Sequence, residues 1–242
     1  MPGGDVMLTL DNLTLRQGSF TLKADWQIPA GARVALIGPS GGGKSTLLLA
    51  IAGFLAPIEG RILWQGQDIA ALGPGARPVS ILFQDQNLFP HLSVADNVGL
   101  ALSPRLALTA AHQDAVAASL DKVGLSGLGS RKPAQLSGGQ IGRAALARVL
   151  LRARPVLLLD EPFSALGPGM KQDMLALVAE VAAATGALVI MVTHDPDDAL
   201  TFSEMTALAH DGTVDAPRPT PELFANPPAH LTDYLGHPRN RK

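Results

Sequence analysis

Apolar and polar residues alternate along VMLTLDNLTL (6–15) and again along SFTLKADWQI (19–28), with breaks at Gly18 and at Pro29–Gly31. A period of two with such breaks predicts a small antiparallel sheet with one face in water. It feeds RVALI (33–37), a core strand that runs into a glycine-rich loop and then STLLLAIAGFL, the pattern of a buried helix. Three further continuous apolar runs follow: VSILF (79–83), PVLLLD (155–160) and ALVIMVT (187–193). Strands covered on both faces of a parallel sheet require such runs. The chain is therefore expected to be α/β, a mixed sheet with helices on both faces, joined to the small N-terminal antiparallel β-subdomain.

Between Gln84 and Leu136 the period changes. SVADNVGLAL and TAAHQDAVAASLDKVGL have helical spacing and are punctuated by Pro, Gly and Ser, which predicts an inserted helical subdomain. The expected organisation is one domain over 1–242. Residues 1–86 and 153–210 form its core, 87–152 its helical part, and 211–242 a proline-rich tail along the surface. The length suits one domain with a substantial core.

Composition narrows the function classes. The chain has no cysteine, so it offers neither disulfides nor thiolate metal sites. A net charge of −2 gives no basis for electrostatic capture of nucleic acid. The start, MPGGDVMLTL, lacks the basic and apolar regions of an export signal. The longest apolar stretch, around 181–193, is interrupted by Thr185 and Gly186 and falls short of the roughly 18–20 residues of a membrane span. A link to a membrane would have to pass through a partner.

Chemistry concentrates where apolar strands end. GPSGGGKST places Gly38, Pro39, Ser40, Gly41, Gly42, Gly43, Lys44, Ser45 and Thr46 between a strand and a helix, the context of a phosphate-binding P-loop. Its glycines let backbone N–H groups face a phosphate, Lys44 suits the β- and γ-oxygens, and the Ser45 hydroxyl suits Mg²⁺. Asp160 and Glu161 end the strand PVLLLD; the first suits Mg²⁺, and the second suits orienting and deprotonating an attacking water. His194 closes ALVIMVT at the same sheet edge and suits a hydrogen bond to the γ-phosphate. Gln84 closes VSILF and suits Mg²⁺ or the water, with the following segment placed to report to a partner. A second glycine nest, LSGGQ, opens the helical run IGRAALARVLLR. One P-loop and one extra anion nest per chain allow two copies about a twofold axis to complete two identical sites.

In this order GPSGGGKST, LFQ, LSGGQ, LLLDEP and THD resemble the Walker A, Q-loop, signature, Walker B and switch-histidine elements of ABC transporter ATP-binding subunits. The resemblance implies ATP and Mg²⁺ as ligands, with ATP hydrolysed between two copies. Ser137, Gly138, Gly139 and Gln140 of one copy would meet the γ-phosphate held by the other. It also implies an integral membrane permease as partner, a periplasmic or extracellular solute-binding protein reached indirectly, and a place on the cytoplasmic face of the bacterial inner membrane. RPVSILFQDQNLFPHLSVADNVGLAL is similar to the ATP-binding subunits of thiamine importers, while iron, sulfate and polyamine importers share much of NLFPHLSV and stay open as alternatives. The shortness of the chain favours the compact thiamine type and leaves no room for the long coiled coil or second nucleotide domain of soluble relatives that act on DNA or ribosomes.

Three departures from the family pattern qualify the expectation. SALD reads SALG, with Gly167 for the aspartate that links the two sites, so coupling or turnover is expected to be reduced while binding survives; a weakly hydrolysing regulatory module stays open. Ile141 stands where a basic or polar residue is usual, though Arg143 and Arg148 remain. No aromatic stands near Arg16 and Gln17 to stack on adenine, leaving Arg16 or Phe20 as candidates; the alternation around Phe20 favours a core strand position for it.

Overall fold

A computed structural model describes residues 6–85, 87–164 and 166–236. The first five residues, Gln86, Ala165 of the SALG stretch and the last six of the tail lie outside the described residues. The chain opens with β1 (Val6–Gln17) and β2 (Phe20–Pro29), paired antiparallel so that Gln17 faces Phe20 across Gly18–Ser19. In β2 buried and exposed residues alternate, so one face meets the core and the other water. Next come β3 (Arg33–Ile37) and α1 (Lys44–Ala52). Helix α1 is buried on nearly every side, from Thr46 through Ala52, because it lies between the parallel strands and the antiparallel sheet.

Then follow β4 (Glu59–Trp64), β5 (Gln67–Asp68) and β6 (Val79–Leu82). Helices α2 (Val94–Gly99), α3 (Ala110–Lys122) and α4 (Gly138–Leu151) pack together around Val98, Val116, Leu120 and Leu146. Beyond them lie β7 (Val156–Asp160), α5 (Pro168–Thr185), β8 (Leu188–Val192), α6 (Pro196–Phe202) and β9 (Met205–His210). The chain ends with β10 (Thr213–Val214), β11 (Arg218–Pro219), α7 (Thr220–Ala225) and α8 (Ala229–Leu235).

The strands form one mixed sheet in the order β5-β4-β1-β2-β10-β9-β3-β8-β7-β6, with β11 beside β9. The stretch β9-β3-β8-β7-β6 is parallel. In register Leu36 faces Val192, Val192 faces Asp160, and Leu82 faces Leu159. The loops after β3, β6, β7 and β8 therefore leave the sheet at one edge, the carboxyl edge where open α/β sheets bind ligands.

The stretch 181–193 divides into the end of α5, Gly186 at φ +66° and β8. No helix among the described residues is long and apolar enough to cross a membrane. The tail is engaged more deeply than a surface segment: Leu223 and Leu231 are buried against Ala35, Ile37 and Leu208. Its prolines act as helix starters, with Pro221 in the first turn of α7 and Pro228 at the N-cap of α8.

Candidate functional site

The loop from Gly38 to Gly43 wraps the end of β3 in a conformation its glycines alone permit. Gly38 has φ +144°, and a Cβ there would stand 2.1 Å from the carbonyl oxygen of Ala209 in β9. Gly43 has φ +91°, and a Cβ would meet Leu22 at 2.7 Å and Phe20 at 3.0 Å. Pro39, Ser40 and Gly41 form the exposed crown, and Gly42 donates its N–H to the Pro39 oxygen at 3.1 Å. Gly43 is the N-cap of α1 and has no side chain to cap it, so the first-turn amides of α1 face the loop. An uncapped helix start with a positive dipole end is an anion site.

Lys44 bends over this loop and donates to the carbonyls of Gly38 at 2.7 Å and Pro39 at 2.9 Å. Burial lowers the pKa of its ammonium, while Glu161 and Asp160 nearby work in the opposite direction. Thr46 is buried and donates to Gln17 Oε1 at 3.1 Å, so Gln17 supports α1. Phe20 is half-buried, packed against the core beside Gly43.

Across the crevice the Ser45 hydroxyl donates to Asp160 Oδ1 at 3.2 Å. Burial raises the pKa of Asp160, and Glu161 adds to that; the Ser45 hydrogen bond and Lys44 oppose it. Hard oxygen donors at this spacing, with a carboxylate short of solvent, fit Mg²⁺, which takes oxygen ligands at about 2.0–2.1 Å. Glu161 follows with φ +44°, an unusual backbone for a residue with a Cβ, held by its N–H donating to the Val192 oxygen at 3.0 Å. Its Oε2 lies 3.1 Å from Nδ1 of His194, and because a carboxylate only accepts, the imidazole donates. Glu161 is 23% exposed and His194 63%, so the acid is held against the sheet while the ring reaches out. A cavity of about 200 Å³ opens beside the pair.

Gln84 sits exposed in the turn after β6, at the same edge of the sheet. The LSGGQ nest lies apart from the P-loop of its own chain, at the start of α4. Ser137 is the N-cap: its Oγ accepts from the Gln140 N–H at 3.3 Å, while Gln140 Oε1 accepts from the Ser137 N–H at 2.9 Å. This capping box leaves the first-turn amides of Gly138 and Gly139 and the Ser137 O–H for an external acceptor. A Cβ on Gly138 would meet nothing within 4 Å, so its own chain does not require glycine there; one on Gly139 would meet Leu166 at 2.9 Å.

Of the departures, Gly167 is the N-cap of α5 in extended backbone with open space at its Cβ position. Ile141 is half-buried in α4. Arg143 donates to the carbonyls of Val123 and Gly124, and Arg148 to that of Asn87, tying α4 to the end of α3 and to the loop after Gln84.

Two supports went unseen in the sequence. Tyr234 of α8 donates its O–H to the backbone oxygen of His194 at 2.9 Å. Burial raises its pKa, with Glu161 and Asp195 adding to that, so it stays a donor. Lys171 of α5 bridges Asp195 and Asp198, each at 2.6 Å. Burial disfavours its charge, but the two carboxylate hydrogen bonds outweigh it and the pKa is raised. Lys171 stands ten residues after Glu161 in the helix after SALG, a basic residue facing THDPDD; the lone tail tyrosine carried no such signal.

The sequence pattern of the ABC transporter family matches residues 22–164. A thiamine import ATP-binding protein, ThiQ, of Cereibacter sphaeroides is 65% identical over 230 residues, covering 95% of this chain and 100% of the relative. The protein of that name from Ruegeria sp. is 52% identical over 230 residues, again 95% of this chain and all of the relative. Among solved structures, a dimer of the ATP-binding cassette MJ0796 in a post-hydrolysis state, bound to ADP and Pi, superposes with a TM-score of 0.77 at 30% identity, covering 88% of this chain and 99% of that one.

Proposed function

The chain belongs to the ABC transporter family, and on that premise we propose that it is the ATP-binding and ATP-hydrolysing subunit of a thiamine importer, acting as a homodimer on a membrane permease. One observation carries the reading: the uncapped start of α1, the Ser45–Asp160 pair and the Glu161–His194 pair meet at a single sheet edge. The ThiQ relatives support thiamine over iron, sulfate or polyamines as the solute.

In this scheme the amides of the 38–46 loop and Lys44 bind the β- and γ-phosphates of ATP, with Lys44 exchanging its bonds to Gly38 and Pro39 for phosphate oxygens. Ser45 and Asp160 would hold Mg²⁺, which would neutralise charge on the phosphate oxygens, with Gln84 at the same edge as a further oxygen ligand. Glu161 orients the attacking water and takes its proton. With ATP bound, His194 exchanges its bond to the Glu161 carboxylate for one donated to the γ-phosphate. Ser137, Gly138, Gly139 and Gln140 of the partner copy cover the γ-phosphate from the other side, so ATP closes the dimer and hydrolysis reopens it. The dimeric MJ0796 structure supports that pairing.

The permease has a fitting seat beside Gln84. A groove of about 330 Å³ runs between core and helices, with Phe54 and Phe89 exposed at 56% and 48%. Arg148 and Arg152 line it, and burial lowers the pKa of each. Through this seat the protein is held at the cytoplasmic face of the inner membrane, facing a solute-binding protein only indirectly. The test is phosphate release by the chain reconstituted with its permease and binding protein. Thiamine should stimulate it, and stimulation by sulfate, iron or a polyamine instead would overturn the solute assignment.

A further inference from the structure

Away from the nucleotide crevice, three polar side chains from three elements converge. His210 ends β9, Asp215 follows β10, and His230 lies in α8. The two imidazoles stack with centroids 3.8 Å apart and planes within 19°. Both Nε2 atoms lie close to one oxygen: Asp215 Oδ2 is 3.1 Å from His210 and 3.2 Å from His230. The His210 contact has hydrogen-bond geometry. The His230 Nε2 is shut off from solvent and finds no hydrogen-bond partner despite its distance. A buried ring nitrogen close to a carboxylate and not bonded to it is a polar group without a partner among the described residues.

We propose that His210, Asp215 and His230 form a binding site for a divalent transition-metal ion of the Zn²⁺ class, which clamps α8 to the β9–β10 hairpin. Two imidazole nitrogens and one carboxylate oxygen suit Zn²⁺ and its neighbours, whereas Mg²⁺ and Ca²⁺ prefer all-oxygen sets. The spacing fits as well. Ligand atoms about 2.0–2.1 Å from one ion stand about 2.9–3.4 Å apart at octahedral or tetrahedral angles, which brackets the two nitrogen–oxygen contacts; to converge on one ion the two rings would turn out of their stack. The carboxylate of Asp211 lies 3.8 Å from the other nitrogen of the His210 ring, on the side where metal-binding histidines commonly find an orienting acceptor.

The clamp reaches the nucleotide site through one helix turn. Tyr234 stands four residues after His230, on the same face of α8, and donates to the carbonyl of His194. On the other side, Ala209 next to His210 presents its carbonyl against Gly38 and Gly42 of the P-loop. An ion at this site therefore holds both the residue after Ala209, whose carbonyl abuts the P-loop, and the helix that braces His194.

The experiment uses the full, tag-free, nucleotide-free protein with Mg²⁺ in excess, titrated with ZnCl₂ against a chromophoric zinc chelator. One Zn²⁺ per chain is expected, weakened by at least about tenfold in both Asp215→Asn and His230→Gln; no stoichiometric uptake, or equal uptake by the variants, overturns the site. Hydrogen exchange of the wild-type protein is a second readout that needs no variant. Amides of residues 229–235 should exchange more slowly with Zn²⁺ and recover when a stronger chelator is added, and unchanged exchange would refute the clamp.

Discussion

Glu161 is held with φ +44° by its N–H bond to Val192, and its carboxylate is gripped by His194. Backbone strain of this kind persists where the surroundings over-determine it. Because the strain aims one oxygen into the crevice, Glu161→Gln should keep ATP affinity and lower turnover by roughly 10²–10⁴, read as single-turnover phosphate release; a rate near wild type would remove Glu161 from its role. Asp160 answers to pH. Burial raises its folded-state pKa, so folding favours the protonated form. That stability is fully present below the ordinary carboxylate range and is lost as pH rises through the folded value. At neutral pH the ionised group therefore costs stability when no cation is bound. Asp160→Asn still accepts from Ser45 and should melt at a higher temperature than wild type at pH 8 without nucleotide, the gap closing toward pH 4. A thermal series over that range checks the sign.

Helix α5 begins at Gly167, whose φ of −68° and open surroundings suit any residue. An aspartate there would cap the helix and stiffen the unfolded chain, so Gly167→Asp should stabilise by about 0.5–1 kcal/mol. If the carboxylate also relinks the two sites, ATP turnover by the dimer should rise; a stability gain without change in turnover would show that only the cap was missing. The elements that position the site were legible where short runs are apolar, as in VALI, VLLL and LVIMV, the pattern that a strand covered on both faces requires. Strand β9, MTALAH, is buried along its middle yet holds two alanines, a residue depleted in strands, and no continuous run of large apolar residues. Its hairpin was readable all the same: Asp211 and Gly212 both have positive φ, the requirement of the tight turn that an Asp-Gly pair favours. Gln65–Gly66 between β4 and β5 follows the same rule. The links from Tyr234 to His194 and from Lys171 to Asp195 bring together residues 40 and 24 positions apart, and no local pattern encodes such meetings.

For the whole molecule the decisive feature is a nest that its own chain does not complete. Ser137 and Gln140 cap α4 reciprocally and Gly138 has empty space where a side chain would be; in the proposed dimer the P-loop it would cover belongs to another copy. Gly138→Val should accordingly leave the melting temperature of the isolated chain within a few degrees of wild type, allowing about 1 kcal/mol for a β-branched residue in a first turn, while abolishing ATP-driven association. The most direct measurement is sedimentation velocity of the Glu161→Gln protein with saturating Mg-ATP, alone and with its permease. Two chains related by a twofold axis should appear as a stable dimer that dissociates when ATP is withdrawn. A sedimenting monomer at every concentration, with no closure on the permease either, would contradict the shared-site account.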